Sequence, residues 1–248
     1  MILLTDLTKA YADHTALDHV SAQFPTGKFT AVIGRSGAGK STLLRCINGL
    51  TEVSSGCVEI DGQDMAKLRG REKRALQRRI GMIFQDFCLV GQSTALQNVL
   101  NACLADMDFF RVLFGLFSRQ QKDAAMQMLE KVGMADKAQQ KAASLSGGEK
   151  QRVAIARVLL QGCGIVLADE PVASLDPVHA ETVLGILKRL QTEDGKTVIM
   201  NSHNVEQARR YADVILGVRA GRVVFSGEPE ALDAAALERI YGKDGAGT

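Results

Sequence analysis

Residues 1–60 alternate short apolar runs with turn residues. The segments ILLTDL, HVSAQF, KFTAVIG and CVEID have the length and β-branched content of strands, and Asp, Gly and Pro punctuate them, as at Pro25-Thr26-Gly27. Between the third and fourth, STLLRCINGL reads as a helix closed by Gly49. From about residue 86 to about 161 helical stretches dominate, with hardly a strand candidate among them. GIVLADE follows, an apolar run whose polar residues stand only at its C-terminal end. That is the pattern of a parallel strand buried on both faces, with functional groups at its carboxyl edge. A helix over about 178–193, the strand KTVIMNS, a short helix and two last strands, DVILGV and RVVFSG, complete the chain. The pattern predicts an α/β core with a helical insertion over about 86–162. With no internal repeat or low-complexity linker, the lobes are expected to pack together.

Composition narrows the classes. Of 248 residues, 46% are hydrophobic and 23% charged, the balance of a globular protein with a sizeable core. Lys+Arg number 30 against 28 Asp+Glu, a net charge of +2 that supplies no field for a polyanion, so nucleic acid is not expected as a partner. Five scattered cysteines without a CxxC pair read as reduced thiols, not as a disulfide frame or a zinc site. No apolar run approaches the ~18 residues that span a bilayer. The start MILLTDLTKAY turns polar too soon for a signal peptide, so a cytoplasmic chain is expected.

Three segments carry chemistry. Gly34-Arg35-Ser36-Gly37-Ala38-Gly39-Lys40-Ser41 matches G-x-x-x-x-G-K-[ST] between a predicted strand and a predicted helix. Backbone N–H groups of such a loop curl around phosphate oxygens. Lys40 is placed to reach the β/γ-phosphates and the Ser41 hydroxyl to ligate Mg²⁺, with Thr42 next on the helix. Asp169-Glu170 closes IVLADE, where one acid suits Mg²⁺ and its waters and the next suits polarising a water. Leu145-Ser146-Gly147-Gly148-Glu149 precedes a helical run. Ser146 and Glu149 have capping-box spacing, so the segment can be a plain helix start. Two glycines there weaken the helix by about 1 kcal/mol each and expose bare N–H groups at its positive end, a second phosphate-binding surface. It lacks a lysine and a metal-binding hydroxyl, and so reads as half a site.

LSGGEKQR, GRSGAGKS, ADEP, SLDP and the lone His203, in this chain, resemble the ATP-binding subunits of ABC transporters over essentially the whole length. The resemblance implies a P-loop NTPase fold: a RecA-like parallel-sheet core, an N-terminal antiparallel β portion and an inserted helical subdomain. The core lobe is expected at 1–85 and 163–248, and the helical signature lobe at 86–162. It implies ATP and Mg²⁺ as cofactors. Tyr11 is similar to the aromatic that stacks on adenine. Gln85 resembles the glutamine that senses γ-phosphate and Mg²⁺. Ser146, Gly147, Gly148 and Glu149 correspond to the signature that closes over ATP held by a second copy of the chain. By the same resemblance Glu170 is the general base, Asp169 a metal-binding acid, Asp176 the acid signalling across the dimer and His203 the switch histidine. Implied partners are that second copy, integral membrane permease subunits and, indirectly, a periplasmic substrate-binding protein. The implied place is the cytoplasmic face of the inner membrane.

LFGLFS, with INGL, DEPVASLDP and FCLVG, is similar to the phosphonate-importer ATPases. Two features depart: no tryptophan precedes LFGLFS, and Asn201-Ser202 precedes His203 where that subfamily tends to have Thr-Leu. Amino-acid import and lipoprotein or peptide export are the alternatives within the family. A small-molecule kinase would share the phosphate loop but has no use for LSGG. Four of nine phenylalanines fall at Phe109, Phe110, Phe114 and Phe117, either as a core helix or as a face docking another protein. The docking reading places Phe87 there too. The seven basic residues from Lys67 to Arg79 read as a solvated helix face. No regulatory domain is expected beyond these elements.

Overall fold

The computed structural model describes residues 1–242, with the Asp106 side chain left aside. In chain order it places β1 (Ile2–Ala10), β2 (Thr15–Phe24), β3 (Phe29–Ile33), α1 (Lys40–Ile47), β4 (Ser55–Ile60), β5 (Gln63–Asp64), α2 (Gly70–Arg78) and β6 (Ile80–Ile83). The helical stretch follows as α3 (Ala95–Leu100), α4 (Phe109–Leu113), α5 (Arg119–Lys131) and α6 (Gly147–Leu160), with short 3₁₀ turns between. Then come β7 (Ile165–Asp169), α7 (Pro177–Thr192), β8 (Thr197–Ser202), α8 (Val205–Tyr211), β9 (Val214–Arg219), β10 (Arg222–Gly227) and α9 (Ala234–Tyr241).

Two sheets form. The first has the order β2-β1-β4-β5 and is antiparallel; the second has the order β10-β9-β3-β8-β7-β6, parallel except at β10. The two-residue β5 was not anticipated, and β1 and β2 run longer than their apolar runs. The α/β fold class is the expected one.

The central strands are buried along their whole length, as their apolar character requires. Successive side chains go to opposite layers. Val166, Ala168, Val198 and Met200 join the helices α3, α5, α6 and α7 in one core. Ile165, Leu167 and Ile199 join α1 and the antiparallel sheet in the other. The parallel sheet is thus sandwiched, and the helical stretch shares its core with the strands.

Local signals set where the helices begin. Thr94 with Gln97 and Ser118 with Gln121 form reciprocal capping boxes for α3 and α5. The buried Asn98 amide binds the backbone of Val90, Ser93 and Thr94, fastening the segment that leads into the helices. The phenylalanine stretch divides. Phe117 packs against the core, while Phe109 and Phe110 on α4 and Phe114 just after it are about 70% exposed, and α4 buries nothing. No helix among the described residues is long and apolar enough to cross a membrane.

Candidate functional site

β3 runs directly into residues 34–39, and α1 starts at Lys40. At Gly39 φ is 102°, and a methyl group there would lie 2.4 Å from the Ala16 carbonyl oxygen, so only glycine fits. Arg35, Ser36 and Gly37 are exposed; Gly34, Ala38 and Lys40 are buried. The Lys40 ammonium curls back to donate to the carbonyls of Gly34 (2.9 Å) and Arg35 (3.1 Å). Burial pulls its pKa down, and the carboxylates of Glu170 and Asp169 oppose that.

Asp169 ends β7 and is buried. Its Oδ1 accepts from the Ser41 hydroxyl at 2.8 Å and from the Asn201 side-chain amide at 2.7 Å. Asn201 faces Asp169 across the parallel β7–β8 register. The Oδ1 of Asn201 has no partner, an arrangement that costs about 1–3 kcal/mol. Glu170 has φ 48°, the left-handed region, so the chain turns sharply as β7 ends. Its carboxylate lies 3.9 Å from Lys40 Nζ and 3.8 Å from His203 Nδ1. His203 follows β8 directly, and its side chain is 61% exposed. The ends of β3, β7 and β8 therefore gather Lys40, Ser41, Asp169, Glu170 and His203, leaving Thr42 half-buried behind them on α1.

Other expected residues sit at the margins. Gln85 is exposed at the start of the turn after β6. Phe87 and Cys88 in that turn have φ of 59° and 49°, and their carbonyls accept from the Arg157 guanidinium of α6. Sequence reading had not singled out Arg157. Tyr11 stacks on His14 at 5.3 Å between ring centres, with Lys9 Nζ 4.8 Å from its own ring centre.

Ser146 to Glu149 form the capping box that their spacing allows. Ser146 Oγ accepts from the Glu149 N–H, and Glu149 Oε2 accepts from the Ser146 N–H. Glu149 also pairs with Lys137, which, with the Ser146 N–H, holds its carboxyl below the usual range. No hydrogen bond or ion pair joins residues 146–149 to residues 34–42 among the described residues.

The glycines have a packing reason besides their bare N–H groups. A methyl on Gly147 would meet Leu175 at 3.2 Å, and one on Gly148 the His179 ring at 2.7 Å. Asp176 caps α7 by accepting from the N–H groups of Val178 and His179, and its Oδ2 lies 2.6 Å from His179 Nδ1. The His179 N–H is the main cause of its depressed pKa. His179, which no sequence motif marks, thus lies between Asp176 and the first turn of α6.

Beside α2, a groove of about 1230 Å³ is lined by Arg71, Arg74, Arg78 and Arg157 together with Phe84 and Cys88. Three of the seven basic residues, Arg71, Arg74 and Arg78, thus border this groove while staying exposed, as a solvated helix face requires. Phe87 is not among its lining; its ring tip lies 3.9 Å from where a side chain on Gly147 would begin.

A phosphate loop, an acidic pair at a strand end and a glycine-started helix on one α/β frame define an ATP-hydrolysing cassette. The chain belongs to the ABC transporter family, whose model matches residues 17–173. It is 45% identical over 246 residues to the phosphonates import ATP-binding protein PhnC of Lactococcus lactis subsp. cremoris (strain SK11), covering 99% of this chain and all of that one. The protein of the same name from Agrobacterium fabrum (strain C58) is also 45% identical, with 99% of this chain and 86% of its own length covered. Among solved structures, the dimeric post-hydrolysis state of the ATP-binding cassette MJ0796 bound to ADP and Pi superposes with a TM-score of 0.82. It is 34% identical and covers 92% of this chain and 99% of that one.

Proposed function

We propose that this ATPase works as a homodimer on the cytoplasmic face of the cell membrane. There it drives permease subunits that import a phosphonate or related phosphorus oxyanion delivered by a periplasmic binding protein. The observation that carries the catalytic part is the gathering of Lys40, Ser41, Asp169, Glu170 and His203 at adjacent strand ends. The cargo rests on relatives named for phosphonate import at 43–45% identity over nearly the whole chain.

In this reading residues 34–42 wrap the phosphates and Lys40 leaves the loop carbonyls for the β/γ-phosphates. Tyr11 stacks on adenine. Mg²⁺ fits the donors present: the Ser41 hydroxyl and the Asp169 carboxylate are hard oxygen ligands, with Gln85 completing the set. No group of three or more His, Cys, Asp or Glu side chains able to hold a metal exists among the described residues, so nucleotide and water would supply the other positions. Glu170 accepts the proton of the attacking water, and the exposed His203 is free to meet a γ-phosphate. Ser146 to Glu149 of one copy cover the nucleotide of the other, and Asp176 relays closure. Residues 1–85 and 163–248 act as the core lobe and 86–162 as the signature lobe; 243–248 lie outside the described residues. The arginine-lined groove and the exposed phenylalanines of α4 receive the permease.

The test is ATPase activity of the complex reconstituted with its permease and binding protein. 2-Aminoethylphosphonate, methylphosphonate or phosphite should stimulate it, and methionine or glutamine should not. Stimulation by an amino acid alone would replace the cargo and keep the ATPase.

A further inference from the structure

Asp169 Oδ1 carries two donors, and they are not equivalent. The Ser41 hydroxyl, 2.8 Å away, belongs to the residue that the proposed reading assigns to the metal, so its oxygen has a second duty when Mg–nucleotide binds. The Asn201 amide, 2.7 Å away, has no competing duty. Asn201 is fully buried, lies opposite Asp169 in the β7–β8 register, and keeps an unpartnered acceptor atom in a place where leucine, of similar shape, would leave none. A polar residue retained under that penalty implies a use for its donor.

We infer that Asn201 is a positioning residue for magnesium: its amide holds the Asp169 carboxylate in the orientation that receives the metal, whether or not Ser41 is bonded to the same oxygen. Outer partners of this kind tune metal affinity by about 10–100-fold in other sites. The inference rests on the assignment of Ser41 and Asp169 to the metal.

The experiment measures Mn²⁺ binding by electron paramagnetic resonance to the full chain with a slowly hydrolysed ATP analogue. Alongside it, the affinity of the same analogue is measured in EDTA. Asn201→Leu should weaken Mn²⁺ binding about tenfold and leave metal-free nucleotide affinity within about twofold. Should the leucine variant fail to fold, Asn201→Thr suits a strand, and its shorter hydroxyl does not replace the amide. It should show the same selective loss. Unchanged Mn²⁺ affinity in a folded variant, or equal losses with and without metal, overturns the inference. Ser41→Ala and Asp169→Asn separate the levels. If they weaken Mn²⁺ while Asn201→Leu does not, only the role of Asn201 fails. If they too leave it unchanged, the metal assignment itself fails.

Discussion

The imidazole of His179 occupies the space a side chain on Gly148 would need. A methyl group there would lie 2.7 Å from Cδ2 and 2.9 Å from Cβ of His179. The Cβ contact matters most, because a ring can swing away and a Cβ cannot move without the α7 backbone. Gly148→Ala should therefore destabilise the isolated chain by about 1–3 kcal/mol, before any dimer forms. In a His179→Ala background the ring contacts vanish but the Cβ contact stays, so the penalty should shrink without disappearing. Thermal denaturation of the four chains of this cycle checks it; additive effects would mean that the two residues do not press on one another.

Glu170 stands 3.9 Å from Lys40 and 3.8 Å from His203, at a left-handed turn that aims its carboxylate. Glu170→Gln keeps that shape and loses the proton acceptor. Nucleotide binding should survive, turnover should fall by about 10²–10⁴-fold, and the variant should run as an ATP-dependent dimer in size exclusion. Turnover near wild type would take Glu170 out of the chemistry.

The Glu149 carboxyl is held below its ordinary 4.5, first by Lys137 and then by the Ser146 N–H. A depressed carboxylate contributes stability that is fully present above 4.5 and lost as pH falls through its lower folded value. Glu149→Gln keeps a cap for Ser146 but has no charge to lose. Wild type should be the more stable by about 0.5–1 kcal/mol near neutrality, Lys137 being partly exposed, and the two melting curves should converge in acid. A gap that stays constant with pH would show that the ion pair contributes nothing.

Phe110 and Phe114 are exposed while Phe117 anchors the same stretch in the core. Phe110→Glu or Phe114→Glu should leave stability within about 0.5 kcal/mol, as surface changes do, and leave the isolated ATPase unaltered. Stimulation by the assembled membrane subunits should be lost. Phe117→Glu is the contrast, expected to destabilise the chain itself.

What the sequence determined by itself was whatever chemistry is contiguous or periodic. Gly34 to Ser41 is legible because its strain, its N–H groups and its lysine lie on eight successive residues. Ser146 and Glu149 are legible because a capping box is a contact three residues long. The doubly buried β7 shows in IVLAD because both its faces must be apolar. What only the tertiary structure decided depends on register and on packing between elements. Asn201 meets Asp169 from 32 positions away because β8 lies parallel beside β7 with those two residues paired. His179 touches Gly148 because α7 starts against the first turn of α6. Arg157 holds the turn carrying Phe87 and Cys88, some 70 positions distant. Phe117 turns inward and Phe114 outward although both belong to one apolar run. Hydrophobic burial and helix capping act over a few residues and so leave a pattern in the chain. A hydrogen bond between two strand ends leaves none, because either partner alone is an ordinary polar residue at the end of an apolar run.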